Sequence, residues 1–429
     1  MSENKRLEFH LGTFGKLVPL LVAVVFIIWA AVKGSNVSGY MVAFFMAIIF
    51  GVILVKDEKA YGQAIITGLT KPMFPVIALA VILAAISGKL ISGRDIITSI
   101  STMHDRSNGL GGGFAGYGIY PQYKDLYALH VFYDSLESRN KCEAYLDDHF
   151  DIVNLSKIPV RKSPKITDEP LIWRYFVRPH HTKMLSFHLG EDEFVSRCTF
   201  YINTAIEGAY VFSSGKNMGV FKAVGFPEDV GEYYRLDEYE GYCWTAHGRY
   251  PTNTPGWWGG AHPFATLDFS VVHNGEISSY DANRRFIEMF GYTCSLMTDT
   301  EVIAYMVDFL IRKVGMTMEE MCDVIAAPFW STIEKMPPEE KERFTYIRNA
   351  FSSMLITGPF SILVGFNGGM LALNDRLKLR SMVVGEKDEM VYMASEECAI
   401  RVIQPELDKI WSPGGGEAVI VRLNEGVSV

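Results

Sequence analysis

Metal-binding cysteine spacings are absent from this chain of 429 residues. Its six cysteines are widely scattered, and none forms the Cys-x-x-Cys pair that zinc and iron–sulfur sites use. His180 and His181 stand together beside Pro179 without further ligands nearby in the sequence, which favours a solvated loop pair. The sequence therefore predicts neither a metal site nor a bound cofactor.

An excess of positive charge is also missing, because the formal net charge is −9. The charge is divided unevenly along the chain. Residues 1–91 hold eight Lys/Arg against four Asp/Glu, whereas residues 92–429 hold the other 32 against 45. An acidic globular body argues against nucleic acid as a partner.

Carboxylates are absent from three apolar runs near the start of the chain, Leu17–Val32, Tyr40–Val55 and Phe74–Ile86. Each run is shorter than the roughly 20 residues that span a bilayer, but neutral flanks extend all three. Residues 1–91 are thus predicted to be a hydrophobic domain of two or three membrane-type helices, embedded through residues 14–91. The segment resembles the opening of a sodium/proton antiporter, yet without ion-binding carboxylates transport is not expected.

Basic residues flank these runs and bear on their topology. One group precedes the first run (Lys5, Arg6 and Lys16), and the other lies between the second and third runs (Lys56, Lys59 and Lys71). By the positive-inside tendency, both groups should be cytoplasmic. Three spans would place the acidic body outside, and two would leave it in the cytoplasm. The prediction is a multi-pass membrane location with a cytoplasmic globular domain, formed by the fusion of two unlike segments.

Beyond residue 91 the pattern changes to that of a globular α+β body. Asp125–Tyr133, Tyr242–Ala246 and Phe269–Val272 have the composition of strands. Leu136–Phe150 suits an amphipathic helix, and Asn217–Lys222 is expected to open towards another helix. Strands and helices do not follow a strict β-α repeat, which indicates an antiparallel layered arrangement.

Three features of this body suggest a pocket for a free α-amino acid. Arg249 ends an apolar segment and offers a planar fork for a carboxylate. Asn274-Gly275 ends another apolar run, where an amide beside a bare glycine N–H can form an oxyanion hole. Asp299 can hold a cationic amine. Each has an ordinary alternative: a surface charge for Arg249, a turn for Asn274-Gly275 and an N-cap for Asp299.

In their order along the chain, these features resemble the class II glutamine amidotransferases, and most closely the glutaminase domain of glutamate synthase. The resemblance extends from about Ser92 to the C-terminus. It rests on six motifs: Met103-His-Asp-Arg-Ser-Asn-Gly-Leu-Gly-Gly-Gly113, Ser213-Ser-Gly-Lys-Asn217, Thr245-Ala-His-Gly-Arg249, Gly260-Ala-His-Pro263, His273-Asn-Gly275 and Thr298-Asp-Thr-Glu301.

The resemblance implies an N-terminal-nucleophile hydrolase fold, an αββα sandwich, and a role for each matching residue. Arg249 is expected to bind the α-carboxylate of glutamine, and Asp299 its α-amino group. Thr252 and His262 are expected to line the substrate pocket, and Asn274 with Gly275 to form the oxyanion hole. The implied reaction converts glutamine to glutamate plus ammonia through a thioester. A separate flavin and iron–sulfur glutamate synthase subunit is the implied partner.

One departure from the family lies at the nucleophile. The family uses a cysteine at the mature N-terminus, whose own α-amine acts as the base. This chain has no cysteine before Cys142, and the Met-Cys-Gly strand should fall near Ala78–Leu83, inside the third apolar run. Residues 92–429 are therefore predicted to be a glutaminase domain that lacks its N-terminal cysteine strand and is inactive.

Other nucleophiles would require either processing or an unusual thiol. Ser87, Ser92 or Ser101 could serve only after cleavage just before them, and the internal Cys243 and Cys294 are expected to be buried thiols. Three hypotheses follow: an inactive glutaminase domain, a membrane-tethered glutamine sensor without catalysis, and a transporter with a regulatory domain.

Overall fold

The computed structural model describes residues 9–10, 12–32, 37–57, 59, 61, 81–250, 256–423 and 426–428. The chain divides into two compact units, Met1–Ile77 and Ala78–Val429. The predicted boundary after residue 91 therefore differs from the observed division, because the stretch from Val81 onwards is built into the second unit.

The described part of the first unit includes the helices α1 (Gly12–Val32) and α2 (Val37–Leu54), which pack against each other. They hold the first and second apolar runs. Within the described residues, no helix combines the length and the apolar character that crossing a membrane requires. The prediction of a multi-pass membrane location through residues 14–91 is therefore wrong.

The described part of the third apolar run is a strand and not a membrane-type helix. This part begins strand β1 (Val81–Ser92), and residues 74–80 lie outside the described residues. This strand has a hydrogen-bonded neighbour on both sides, so a sheet rather than a helix satisfies its backbone polar groups. A strand inside a sheet covered on both faces carries a continuous apolar run, which explains the resemblance to a membrane segment.

The second unit contains all the remaining strands and helices. The strands are β2 (Gly112–Tyr117), β3 (Tyr127–Tyr133), β4 (Phe150–Lys157), β5 (Leu171–Pro179), β6 (Ala209–Ser213), β7 (Met218–Ala223), β8 (Glu240–Gly248), β9 (Phe264–Thr266), β10 (Phe269–Gly275), β11 (Phe360–Phe366), β12 (Gly369–Asn374), β13 (Val383–Lys387), β14 (Met390–Ala394), β15 (Lys409–Trp411), β16 (Ala418–Arg422) and β17 (Gly426–Ser428).

The helices of this unit are α3 (Gly93–Ser101), α4 (Leu136–His149), α5 (His181–Ser186), α6 (Glu191–Ala205), α7 (Pro227–Tyr233), α8 (Tyr280–Glu288), α9 (Asp299–Asp308), α10 (Met318–Ile325), α11 (Trp330–Ile333), α12 (Pro338–Ala350) and α13 (Glu397–Arg401). A π-helical turn, Phe309–Lys313, continues α9. The sequence prediction of a helix after Asn217 is wrong. Met218–Ala223 forms strand β7, where it pairs with β2.

Two antiparallel sheets form the centre of the second unit. The first has the strand order β15-β13-β14-β1-β8-β2-β7, and the second has the order β17-β16-β12-β11-β10-β9. Side chains from both sheets share one core, in which Ala246 of β8 lies with Val272 of β10 and Leu363 of β11. The two sheets are therefore stacked face to face.

Helices cover the outer faces of this pair of sheets. Ile96 and Ile100 of α3 and Val230 of α7 join the core of the first sheet. On the second sheet, Val271 and Ile362 face a separate core formed with α8, α9, α10 and α12. Neighbouring residues 271 and 272 thus point to opposite cores, as strand geometry requires. The predicted αββα sandwich is confirmed.

A smaller module lies in sequence between β2 and β7. Its four-stranded sheet has the order β4-β5-β3-β6, and every strand pair in it is antiparallel. Helices α4 and α6 supply Leu146 and Phe194 to its separate core, which includes Val131 of β3. We call this part the four-stranded module.

The central position of β1 gives a direct test of the strand assignment. Ala85 pairs with Trp244 on one side and Tyr392 on the other. We expect Ala85→Pro to lower the free energy of unfolding by about 3 kcal/mol or more, because proline cannot donate to a sheet and distorts a central strand.

The control at the same position is Ala85→Gly, which keeps the N–H and should cost only about 0.5–1 kcal/mol. Urea unfolding of the full chain, followed by tryptophan fluorescence, measures both changes. Equal stability of the proline and glycine variants would show that β1 is not a central strand.

Candidate functional site

Arg249 directly follows β8, at the end of the first sheet. Its backbone N–H donates to the Gly111 carbonyl at 2.8 Å, and its own carbonyl accepts from Ser107 Oγ at 3.1 Å. The residue is only 6% exposed. Burial lowers the pKa of the Arg249 guanidinium, and the Asp299 carboxylate opposes that shift. A buried cation is thus fixed within electrostatic reach of a partly buried anion.

The end of β10 carries His273, Asn274 and Gly275 in the second sheet. Asn274 is fully enclosed, at 1% exposure. Gly275 has φ +146°, and a Cβ atom there would lie 2.0 Å from the Pro359 carbonyl oxygen. Only glycine fits this position, both because L side chains rarely adopt that φ and because the neighbouring strand approaches so closely.

Asp299 begins helix α9 but does not cap it. The N-cap is Thr298, which makes no side-chain capping hydrogen bond. Asp299 instead accepts from the Ile277 N–H at 3.3 Å and from Thr300 Oγ1 at 3.3 Å. Burial alone would raise the pKa of the Asp299 carboxyl, but His273 and these donors outweigh it and hold that pKa below its ordinary value. The carboxylate is therefore ionised at neutral pH.

Histidines connect these groups across the two sheets. His247 Nε2 donates to the His273 carbonyl at 2.9 Å, and His273 Nδ1 lies 3.4 Å from Asp299 Oδ1. His262 stacks on His247 with ring centroids 4.1 Å apart. Burial lowers the pKa of His247 to about 3 and that of His262 well below its ordinary value. Both imidazoles are therefore neutral at pH 7.

Several buried polar atoms in this region make no hydrogen bond to any described residue. They are Thr245 Oγ1, His247 Nδ1, His262 Nδ1, His273 Nε2 and Asn274 Oδ1. Buried polar groups normally have partners, because leaving one unsatisfied costs about 1–3 kcal/mol. Their concentration around Arg249 and Asp299 marks a place suited to a polar ligand.

The structure brings the site residues predicted from sequence into one cluster. Arg249, His262, Asn274, Gly275 and Asp299 come from four separate stretches of chain and are joined through His247 and His273. Thr252, the remaining predicted residue, lies outside the described residues. The roles assigned to these residues stay predictions.

Comparison with known proteins decides the family. A family model described as "Glutamine amidotransferases class-II" matches residues 138–428, about two thirds of the chain. The chain belongs to this family. We call Ala78–Val429 the amidotransferase body.

Relatives occur among archaeal proteins. An uncharacterized protein of Archaeoglobus fulgidus is 51% identical over 340 residues, which cover 79% of this chain and 90% of that protein. An amidophosphoribosyltransferase of Methanocaldococcus jannaschii is 27% identical over 52% of this chain and 44% of its own length. A putative glutamine amidotransferase of Methanothermobacter thermautotrophicus is 28% identical over 49% and 61%, respectively. The chain thus covers only about half of the length of the latter two.

The start of β1 lies at the same edge of the amidotransferase body as the cluster. Val81 pairs with Gly248 and Ile82 with His247, so β1 begins beside the residue that precedes Arg249. The first described residues of β1, Val81–Leu83, include no cysteine and are internal to the sequence. A thiol with its own free α-amine is therefore not present at the described start of β1.

The two cysteines considered as internal nucleophiles do not replace that group. Cys243 lies in the middle of β8 and Cys294 before α9, and both are buried. Burial raises the pKa of the Cys243 thiol well above its ordinary value and that of Cys294 to about 12. Thiols with raised pKa values are poor nucleophiles at pH 7.

Sequence reasoning missed Lys222, a buried lysine on β7. Its ammonium donates to the Gly259 carbonyl at 2.9 Å and lies 3.5 Å from the Pro263 carbonyl, so it holds both ends of the loop that carries His262. Burial lowers the pKa of Lys222 to about 7, although Glu301 opposes the shift. A lysine inside the otherwise apolar segment Met218–Ala223 was the available signal.

Glu301 was quoted within a motif but given no role. It accepts from the backbone N–H groups of Ser295 (3.1 Å) and Leu296 (2.9 Å) and from Tyr305 (3.1 Å). Burial raises the pKa of Glu301 to about 7, and its hydrogen bonds and Lys222 oppose that rise. The residue anchors the segment just before Asp299, so Lys222 and Glu301 both position elements of the cluster.

The raised pKa of Glu301 predicts a pH-dependent contribution to stability. The pKa of Glu301 rises from 4.5 to about 7 on folding, so its protonation stabilises the folded state. This contribution to the free energy of unfolding is complete below about pH 4.5 and is lost as the pH rises through about 7. We expect Glu301→Gln to lower the melting temperature most at pH 5, and the difference from wild type to shrink by pH 8.

Thermal unfolding between pH 5 and pH 8 checks this expectation. The control is Glu240→Gln, because Glu240 is an exposed carboxylate at the start of β8 and its replacement should change the melting temperature little. A pH-independent difference for Glu301→Gln would contradict the raised pKa.

Proposed function

We propose that the amidotransferase body binds free L-glutamine at this cluster. Arg249 pairs with the α-carboxylate, and Asp299 holds the α-ammonium group. Asn274 and Gly275 surround the side-chain carboxamide oxygen, and His262, with Thr252, lines the pocket. The observation that carries the proposal is the attraction between the buried Arg249 guanidinium and the partly buried, ionised Asp299 carboxylate, amid buried polar atoms that have no hydrogen-bond partner in the described part of the chain.

The charges of a free amino acid match this arrangement. A zwitterion presents a carboxylate and an ammonium group on one carbon, and each meets the opposite charge in the pocket. Charge-assisted hydrogen bonds of this kind are roughly twice as strong as neutral ones. Neutral His247 and His262 add polar surface without further charge, so the pocket discriminates by the two charged groups.

We further propose that this chain binds glutamine without hydrolysing it. Hydrolysis through a thioester needs a thiol whose proton a nearby base removes. The segment joined in front of β1 makes the nucleophile position internal, and it carries no cysteine there. The chain then acts as a glutamine-binding module, and its oxyanion hole remains without a nucleophile.

The serines considered as replacements lie too far along β1 and α3. Ser87 is six residues from Val81, a distance of about 20 Å at 3.3 Å per strand residue. Ser92 pairs with Glu240, at the opposite end of β8 from Gly248, and its side chain caps α3. Cleavage before either residue would also remove part of β1.

We propose that an active relative of this domain, one that keeps the nucleophile, is a glutaminase domain of the glutamate synthase type. Ammonia would then pass to a separate flavin and iron–sulfur subunit. The support is the sequence resemblance in the segments Met103–Gly113 and Thr245–Arg249.

Loss of the guanidinium tests the binding proposal. We expect Arg249→Ala to weaken glutamine binding about 100-fold, because a buried charge-assisted pair is worth about 3 kcal/mol. Isothermal titration calorimetry with L-glutamine measures the change. The control is Arg285→Ala on the exposed face of α8, which should leave the affinity unchanged. Equal affinity of Arg249→Ala and wild type would refute this site.

Restoring the nucleophile tests the proposed lack of hydrolysis. Chains that begin at Val81→Cys or at Ile82→Cys, with a free α-amine, should release ammonia from glutamine, because β1 starts beside Gly248 and His247. The matched control keeps the full chain and carries Val81→Cys internally. It has the thiol without the amine and should stay inactive.

A coupled glutamate dehydrogenase assay measures the ammonia. In an active restored chain, Asn274→Ala should reduce turnover about 100- to 1,000-fold through loss of an oxyanion donor. Turnover by the unmodified full chain would contradict the proposal. The proposal would also be contradicted if both restored chains folded and bound glutamine but released no ammonia.

A further inference from the structure

A second cavity lies beside the four-stranded module, outside the cluster described above. Its volume is about 720 Å³, which is the size of sites that enclose small organic molecules. The end of β3 and the start of β6 form one wall, and the segment Gly256–Trp258 forms another. None of the described residues assigned to the glutamine site lines this cavity.

Aromatic side chains form much of its interior. Phe132 meets Trp258 edge to face, with ring centroids 5.5 Å apart, and Tyr210 lies 5.9 Å from Trp257. The Trp258 indole N–H donates to the Thr167 carbonyl at 2.9 Å, which fixes the orientation of that ring. The faces of aromatic rings are electron-rich and attract cations, and the Lys222 ammonium already lies 5.5 Å from the centroid of the Tyr210 ring.

Three carboxylates from separate parts of the chain line the same cavity. Asp134 follows β3, Asp168 stands in the loop before β5, and Glu207 precedes β6. Neither lysine nor arginine occurs among the described residues that line it. Lys141, which interacts with Glu207, is paired with Glu137 at 2.7 Å. The charged side chains among the described residues that line the cavity are therefore all acidic, which disfavours anions.

Aromatic faces and carboxylates favour the same kind of ligand. The rings provide apolar surface and a cation–π contact, and the acids provide long-range attraction and ion pairing. A neutral apolar molecule would use only the rings, and an anion would be repelled. We propose that this cavity binds a small organic cation, an ammonium group carried on an apolar or aromatic body.

This site is separate from the glutamine pocket, although the two are neighbours. A Cβ atom on Gly260 would lie 2.8 Å from Trp257 Nε1 and 3.4 Å from Arg249 Nη1. Trp257, which lines the cavity, and the guanidinium of the glutamine pocket therefore both approach Gly260, whereas none of the described residues assigned to the glutamine pocket lines the cavity. Because Arg249 does not line the cavity, the proposal stands independently of glutamine binding.

Three probes that share one ring and differ in charge test the proposal. They are phenethylammonium (cation), 2-phenylethanol (neutral) and phenylacetate (anion), each titrated into the full chain by calorimetry. We expect phenethylammonium to bind at least tenfold more tightly than 2-phenylethanol, and phenylacetate to bind more weakly than either. The preference for the cation should diminish as salt is raised, because the carboxylates lie at the exposed rim.

Charge-removing variants locate the binding. Asp134→Asn, Asp168→Asn and Glu207→Gln combined should weaken phenethylammonium binding at least tenfold and leave 2-phenylethanol binding unchanged. Asp147→Asn, on the exposed face of α4 in the same module, is the matched control and should have no effect. If the combined variant fails to fold, Asp168→Asn alone serves, since asparagine tolerates the positive φ of 53° at that residue.

Two further results keep this test distinct from that of the glutamine site. Trp257→Leu should weaken both the cation and the neutral probe, because it removes aromatic surface. Arg249→Ala should leave phenethylammonium binding unchanged even if glutamine binding is lost. Equal affinity for the three probes, no binding of phenethylammonium, or binding that persists in the charge-removed variant would overturn the proposal.

Discussion

The hydrogen bond from His247 to the His273 carbonyl joins the two stacked sheets at the site. It fixes the end of β8 against the end of β10, at 2.9 Å. Arg249 leaves the first sheet two residues after His247, and Asn274 follows His273 in the second. A shift of either strand by one residue would turn every side chain to the opposite face and separate these groups. The geometry of the pocket therefore depends on this contact between the sheets.

Burial of ionisable groups is the main cost of this arrangement. Arg249, Lys222 and Glu301 are almost completely enclosed, and Asp299 is 17% exposed. Removing charges from water is expensive unless each finds partners. Lys222 and Glu301 meet this cost with backbone hydrogen bonds that position the loops around the pocket. Burial lowers the pKa values of Lys222 and His247 and raises that of Glu301, and groups with perturbed pKa values are frequent at functional sites.

The third apolar run shows where sequence reasoning reached its limit. A short apolar run is compatible with a membrane helix, a buried helix or a strand inside a covered sheet, because periodicity alone cannot separate them. Residues 81–86 are strand because β8 and β14 lie on either side of them. Those partners come from residues about 160 and 300 positions later in the chain. The same non-local pairing explains why Met218–Ala223 is a strand and not the start of a helix.

The sequence by itself determined the family and the layered α+β class, and it predicted a site from Arg249, His262, Asn274, Gly275 and Asp299, which lie in one cluster. These depend on residue types in a fixed order, which local chemistry expresses directly. Only the tertiary structure decided that β1 lies in the centre of a sheet, that its first residues stand beside Gly248, and that Lys222 and Glu301 serve the same site. Each of these facts arises from contacts between distant segments, and burial shifts a pKa only after those segments have packed together.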